Sequence, residues 1–249
     1  SLTPDSTGAI DTNGNNVTFA NAVAVSGGAS TAAGLIKAGL GSLTLQASST
    51  YSAGTTLVGG SLVAGNVNAF GSGTVTVTNG TLDLNGYNVA NAITMNGGSL
   101  NSASNYTGSL AIGAGSAVSL AGTIGTGVAI NAAGTLKGTA TLSGAITGAG
   151  LVGPGNSPGI LSATAVDPSS GLDFAFEFTQ ANPSLLTPGS SGNDVLKLTG
   201  ANPFASALSG SNDVNIYLSQ SALTLGTLTG GFYTSNQSDF LSSITNGAF

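Results

Sequence analysis

Along residues 34–150 the apolar positions come in short alternating runs, cut apart by glycine. In TVTVTNGTLDLNG (74–86), Val75 and Val77 take one face while Thr74, Thr76 and Thr78 take the other. Leu82 and Leu84 flank Asp83 in the same way. A period of two over three to five residues predicts strands with one buried face. Between the runs stand Asn79-Gly80, Asn85-Gly86 and Asn96-Gly97, residue types that accept a positive φ at least cost and so mark turns. Gly, Thr, Ser, Asn and Val dominate, and all are poor helix formers.

The runs recur. A glycine followed by an aliphatic residue opens a run at Gly41, Gly60, Gly80, Gly98, Gly115, Gly134 and Gly150, at spacings of 19, 20, 18, 17, 19 and 16. Linker glycines would scatter. A period near 18, holding two or three short strands and glycine corners, predicts one coil of a parallel β-solenoid. The fold class expected is all-β: a right-handed parallel β-solenoid over residues 1–159 in coils of 16–20 residues. A C-terminal β-rich cap or small β-domain is expected over 160–249.

Composition sharpens this picture. Only 5% of residues are charged, against about 25% in ordinary soluble chains. Like charges stacked at inter-strand distance repel, so a column of coils is better built from neutral polar side chains. With 41% hydrophobic residues and a formal charge of −6 over 249 residues, a packed structure is expected rather than a disordered one. Three lysines, no arginine and no histidine leave too little positive charge to neutralise nucleic-acid phosphates. No apolar run approaches the roughly 20 residues needed to cross a bilayer as a helix. Without cysteine there are no disulfides and no thiolate metal sites.

One stretch carries a family resemblance. In GLIKAGLGSLTLQASSTYSAGTTLVGG, the residues Lys37, Gly39, Gly41, Leu43, Leu45, Tyr51, Gly54, Thr55 and Thr56 fall on a recurrent pattern. It reads G-x-x-K-x-G-x-G-x-L-x-L, then a Tyr-Thr-Gly-Gly-Thr-Thr phrase and a G-x-L strand. This resembles the autotransporter-associated β-strand repeat, with Ala53 where a glycine is usual. The likeness extends over residues 34–100 and, more loosely, to GPGNSPGIL (153–161). It implies an exported bacterial protein with a β-helical passenger.

Beyond Gly159 the character changes. Six of seven prolines lie between Pro154 and Pro203, and seven of nine phenylalanines lie from Phe174 onward. LDFAFEFTQ alternates strictly, with Phe174, Phe176 and Phe178 on one face and Asp173 and Glu177 on the other. NDVLKLTG and NDVNIYLS repeat the alternation.

Candidate chemistry is sparse. Between residues 12 and 166 the only carboxylate is Asp83, and the only cations are Lys37 and Lys137. Glycoside hydrolysis needs a carboxyl pair, so no catalytic residue is assigned and no enzyme is expected. Asp173 and Glu177, four positions apart on one strand, stand about 13 Å apart, too far for a retaining pair. GSSGNDVLK (189–197) fits one copy of a calcium nonapeptide around Asp194, and DTNGNN (11–16) imitates the start of a calcium loop at Asp11. Turn chemistry accounts for both, so neither a metal nor a cofactor is assigned. The TVTVT run is reminiscent of threonine arrays in ice-binding solenoids but does not recur at the other anchors. Tyr51, Tyr87 and Tyr106 follow one another at 36 and 19 residues, multiples of a coil, and are candidate edge contacts for glycans.

The function expected is that of a non-catalytic, secreted bacterial structural protein. It would act as a surface or fibre element whose solenoid partners with itself head to tail. The alternative is an adhesive or carbohydrate-binding passenger that meets surface glycans.

Overall fold

A computed structural model describes residues 1–26, 32–155, 159–178 and 194–201, with the strands Ile216–Gln220, Leu228–Thr229 and Phe232–Tyr233. It is a parallel β-solenoid. Nine strands form one sheet, in spatial order from Thr7–Asp11 through Gly34–Ala38, Gly54–Leu57, Val75–Val77, Ile93–Met95, Leu110–Ile112, Val128–Ile130 and Ala145–Gly148 to Ala165–Val166. The second sheet begins at Val17–Phe19 and climbs through Ser42–Leu45, Ser61–Ala64, Thr81–Asp83, Ser99–Tyr106, Ala117–Ile124, Thr135–Gly138 and Leu151–Pro154. It continues to Asp173–Phe178 and Ile216–Gln220. Every strand pairing in these two sheets is parallel.

Each coil gives one strand to each sheet, and the inward positions line up. Leu43, Leu62, Leu82, Leu100 and Leu120 sit in register on successive coils, each fully buried. Across the core, Leu57, Val77, Met95, Ile112 and Ile130 form an equivalent column. Removing a side chain from such a column, as in Leu82→Ala, costs about 2–5 kcal/mol because both axial neighbours lose their contact.

Glycine makes the stacking possible at the corner between the sheets. Gly41, Gly60, Gly80 and Gly98 lie one above another with φ of 86°, 66°, 96° and 70°. A Cβ on Gly60 would overlap the carbonyl oxygen of Gly41, one on Gly80 that of Gly60, and one on Gly98 that of Gly80. Left-handed geometry and close backbone approach both select glycine there. The repeat found in the sequence as G-x-L is this corner.

Two departures from the expected periodicity occur on the same strand. Ser99 pairs with Ser119 rather than with Ser116, the residue that the Gly115 anchor would have placed there. The strands Ser99–Tyr106 and Ala117–Ile124 are eight residues long, and their far ends turn onto a further face. There Ile124 pairs with Leu142, Thr141 with Ser162, and Ile160–Ala163 with Val195–Leu198. From this level up the coil has three strands rather than two. The ladders pass residue 159 without a break, because Leu151 pairs with Asp173 and Phe174 with Ile216. The alternating run at 173–178 thus stacks on the solenoid, burying Phe174.

The corner separates two costs that glycine avoids. Gly14 has φ of 82° with open space where a Cβ would go, whereas Gly60 adds a clash with backbone. Gly14→Ala is expected to cost about 1–2 kcal/mol from conformation alone. Gly60→Ala is expected to cost more than about 3 kcal/mol. Equal urea-unfolding free energies for the two variants would refute the corner argument.

Candidate functional site

Few polar side chains are buried, and most have a specific partner set; the Ser49 hydroxyl has none. Lys37 occupies a core position, between Ile10 on the coil below and Leu57 on the coil above, and is fully buried. Its Nζ donates to the carbonyl oxygens of Ala38 and Gly39 at 2.8 Å and of Gly59 at 3.0 Å. The ammonium therefore ties the corner of its own coil to the corner of the next. Burial holds its pKa below the ordinary lysine value, and the charge of Asp11 pulls the other way. Lys37 was read in the sequence only as part of a motif; nothing in the alternation showed that it points inward.

The same logic governs the opposite turn. Tyr51 is fully buried, with its hydroxyl 2.7 Å from Thr55 Oγ1, and Thr55 donates in turn to Phe70 O at 3.2 Å. Tyr106 is also fully buried, donating to Asn91 O at 2.7 Å and Ser109 O at 2.8 Å. Asn91 Nδ2 reaches Gly71 O and Gly73 O at 3.0 and 2.6 Å. These side chains meet carbonyls of the turns, and two of those, Ala38 O and Ser109 O, also accept from Thr12 N and Ile93 N on the adjacent coil.

The tyrosine edge expected from spacing is therefore not a surface of the folded protein. Tyr51 and Tyr106 belong to the core, in a buried series with Phe70 and Val89. Tyr87 is 36% exposed and stands two residues short of the buried Val89. Of the three, only Tyr87 has surface to offer a glycan.

The acidic candidates are engaged in turns. Asp11 Oδ1 accepts from Asn13 N at 2.7 Å, and Asp83 Oδ1 from Asn85 N at 2.8 Å. Asp194 is buried, with Oδ1 accepting from Gly159 N at 3.1 Å. Among the described residues no three His, Cys, Asp or Glu side chains gather as metal ligands. Glu177 lies on a described strand, but its side chain is outside the described residues. On the outer face of the first sheet, Thr76 has Thr56 below and Thr94 above, and the column continues as Ala111 and Ala129.

The lower end of the solenoid is incompletely covered among the described residues. Thr7–Asp11 and Val17–Phe19 are terminal strands of their sheets, each paired on one side only among the described residues. Ile10, Val17 and Phe19 stand at the foot of inward columns, under Lys37, Leu43 and Leu45, and are only partly buried. Leu2 folds across the end and fills the space left by Gly8, bridging to Val25. Gly34 N donates to Ser6 O and Thr12 N to Ala38 O, so the even residues face the coil above. By alternation, the N–H and C=O groups of Thr7, Ala9 and Asp11 face outward.

Removing the ammonium should strip Gly39 O and Gly59 O of their lysine donor, while Ala38 O keeps Thr12 N, so Lys37→Met is expected to lose about 2–3 kcal/mol in urea unfolding. Alkaline stability should report the tyrosines. Burial raises the pKa of Tyr51 to about 12, and that of Tyr106 rises for the same reason. The unfolded chain releases these protons near pH 10, so the stability they confer is complete below that pH and falls as pH rises through 10–12. Each contributes a slope of about 1.4 kcal/mol per pH unit. Lys37 acts in the opposite sense, because the unfolded chain keeps its proton longer than the fold does. Tyr51→Phe should therefore flatten the alkaline decline of the urea midpoint; an unchanged slope would contradict the assignment. No protein-family model matches the chain, nor does any curated protein or solved structure.

Proposed function

We propose that the chain is a non-catalytic structural element, a rigid β-solenoid exported to the bacterial surface, which assembles end to end into filaments. The observation that carries this reading is the open lower end. It combines outward-facing backbone groups on Thr7–Asp11 with the partly buried Ile10, Val17 and Phe19. An unpaired edge above an incompletely covered core is a template for another parallel strand. A contact between unlike ends does not close on itself, so repetition gives a fibre rather than a ring. The neutral flanks support the reading, since they add little charge repulsion between neighbouring shafts. The likeness of residues 34–100 to autotransporter-associated repeats supports the surface location.

The test targets the edge alone. Proline at position 9 removes an outward N–H while sparing the bonds to Gly34–Ala38. Ala9→Pro is expected to remove filaments from electron micrographs and leave a monomer in sedimentation, with the solenoid's circular-dichroism signature retained. Filaments of undiminished length from this variant, or a parent protein that stays monomeric at every concentration, would refute end-to-end assembly.

A further inference from the structure

Four Asn-Gly pairs lie in described turns, at Asn13-Gly14, Asn79-Gly80, Asn85-Gly86 and Asn96-Gly97, and all four asparagines are exposed. Asn-Gly is the dipeptide in which the glycine nitrogen most easily attacks the preceding carboxamide, because no side chain shields it. The fold treats the four differently. The Gly14 N–H is held by Leu40 O at 2.7 Å, so the nucleophile of the first pair is tied into the coil above. The Asn85 carboxamide is held, its Nδ2 donating to Ala64 O at 3.2 Å, and Asn85 itself has φ of 47°. The Asn96 carboxamide oxygen packs against Gly113, where a Cβ would overlap it. In the Asn79 pair alone does the following N–H point at its own carboxamide: Gly80 N donates to Asn79 Oδ1 at 2.9 Å.

We propose that Asn79 is a modification site set by the fold, where the chain deamidates to aspartate and isoaspartate ahead of its other Asn-Gly pairs. Hydroxide removes the Gly80 amide proton, and the nitrogen forms a bond to Asn79 Cγ. The Cγ–Nδ2 bond breaks and ammonia leaves, giving a five-membered succinimide. Water opens that ring at either carbonyl. Breaking the new Cγ–N bond returns a normal backbone with aspartate. Breaking the original C–N bond leaves isoaspartate, whose chain runs through Cβ and Cγ. In both cases one amide and one water become one carboxylate and one ammonium.

The position makes the product consequential. Gly80 stacks between Gly60 and Gly98, and the carbonyl oxygen of Gly60 occupies the place where a Cβ on Gly80 would go. One extra backbone carbon just before Gly80, and a negative charge beside it, fall on the corner that must repeat without error. The site is thus a slow, irreversible weak point in the middle of the shaft.

Peptide mapping of the folded protein after incubation in mildly alkaline buffer tests the proposal, with isoaspartate read at each of the four positions. Position 79 is expected to convert several-fold faster than 13, 85 and 96. The same incubation in urea should bring the four rates together, because the difference belongs to the fold. Asn79→Gln, which cannot form the five-membered ring, should remove the fast phase. Conversion at 79 no faster than at any of the other three in the folded state would overturn the proposal. So would an unchanged ranking in urea.

Discussion

Everything in this molecule follows from how closely one coil can lie on the next. The strands themselves stack at ordinary sheet spacing, which any alternating sequence permits. The corner is more demanding, because there the chain reverses between sheets while its backbone still touches the backbone below. At Gly41, Gly60, Gly80 and Gly98 a single methyl group would occupy the same space as a neighbouring carbonyl oxygen or backbone atom. Substitution there would not merely loosen one turn. It would lift the coil from its neighbour, and with it both strands whose ladder bonds depend on that contact.

Close corners leave a second difficulty, since a turn between two sheets exposes carbonyl groups to the core that no strand can satisfy. The chain answers with long polar side chains placed inside. Lys37 takes Gly39 O and Gly59 O, Asn91 takes Gly71 O and Gly73 O, and Tyr106 takes Asn91 O; Ala38 O and Ser109 O are shared with backbone donors. These groups resemble an active site in their burial, and Lys37 and Tyr106 also in their shifted protonation, yet their hydrogen bonds are spent on backbone. In this fold a buried ionisable residue marks a structural strut between coils. That distinction matters for any solenoid searched for catalysis by buried polar residues alone.

The coil period, the parallel stacking and the aliphatic columns were legible in the sequence because alternation and glycine spacing act locally. The fate of the tyrosines was not. Tyr51 and Tyr87 differ by 36 residues, which looks like two coils, but the buried position two coils above Tyr51 is Val89. An offset of two residues in a turn costs nothing in periodicity and reverses inside and outside. The shift at Gly115 was hidden as well: the strand there begins at Ala117 and Ser119 takes the rung above Ser99, an offset that the alternation does not mark. Lys37 could be recognised as a motif residue, but its direction depends on carbonyls contributed by Gly59, twenty-two residues away.

The scarcity of charge has a structural reading in the columns themselves. Asp83 stands between Val63 and Asn101, and Lys137 between Ser119 and Gly153. Lys37 lies between Ile10 and Leu57, while Asp11 pairs with Ala38 and Asp173 with Leu151. In each case the ladder neighbours of a charge are neutral. A duplicated coil copies every side chain into the next rung, so a charge retained through repetition would meet its own image at inter-strand distance and repel it. Neutral Ser, Thr and Asn can be copied without that cost, and Thr81 and Ser99 even bond across adjacent rungs at 3.0 Å. A chain grown by repeating coils is therefore driven toward neutral columns. Its remaining charges are tolerated where the rungs on either side differ.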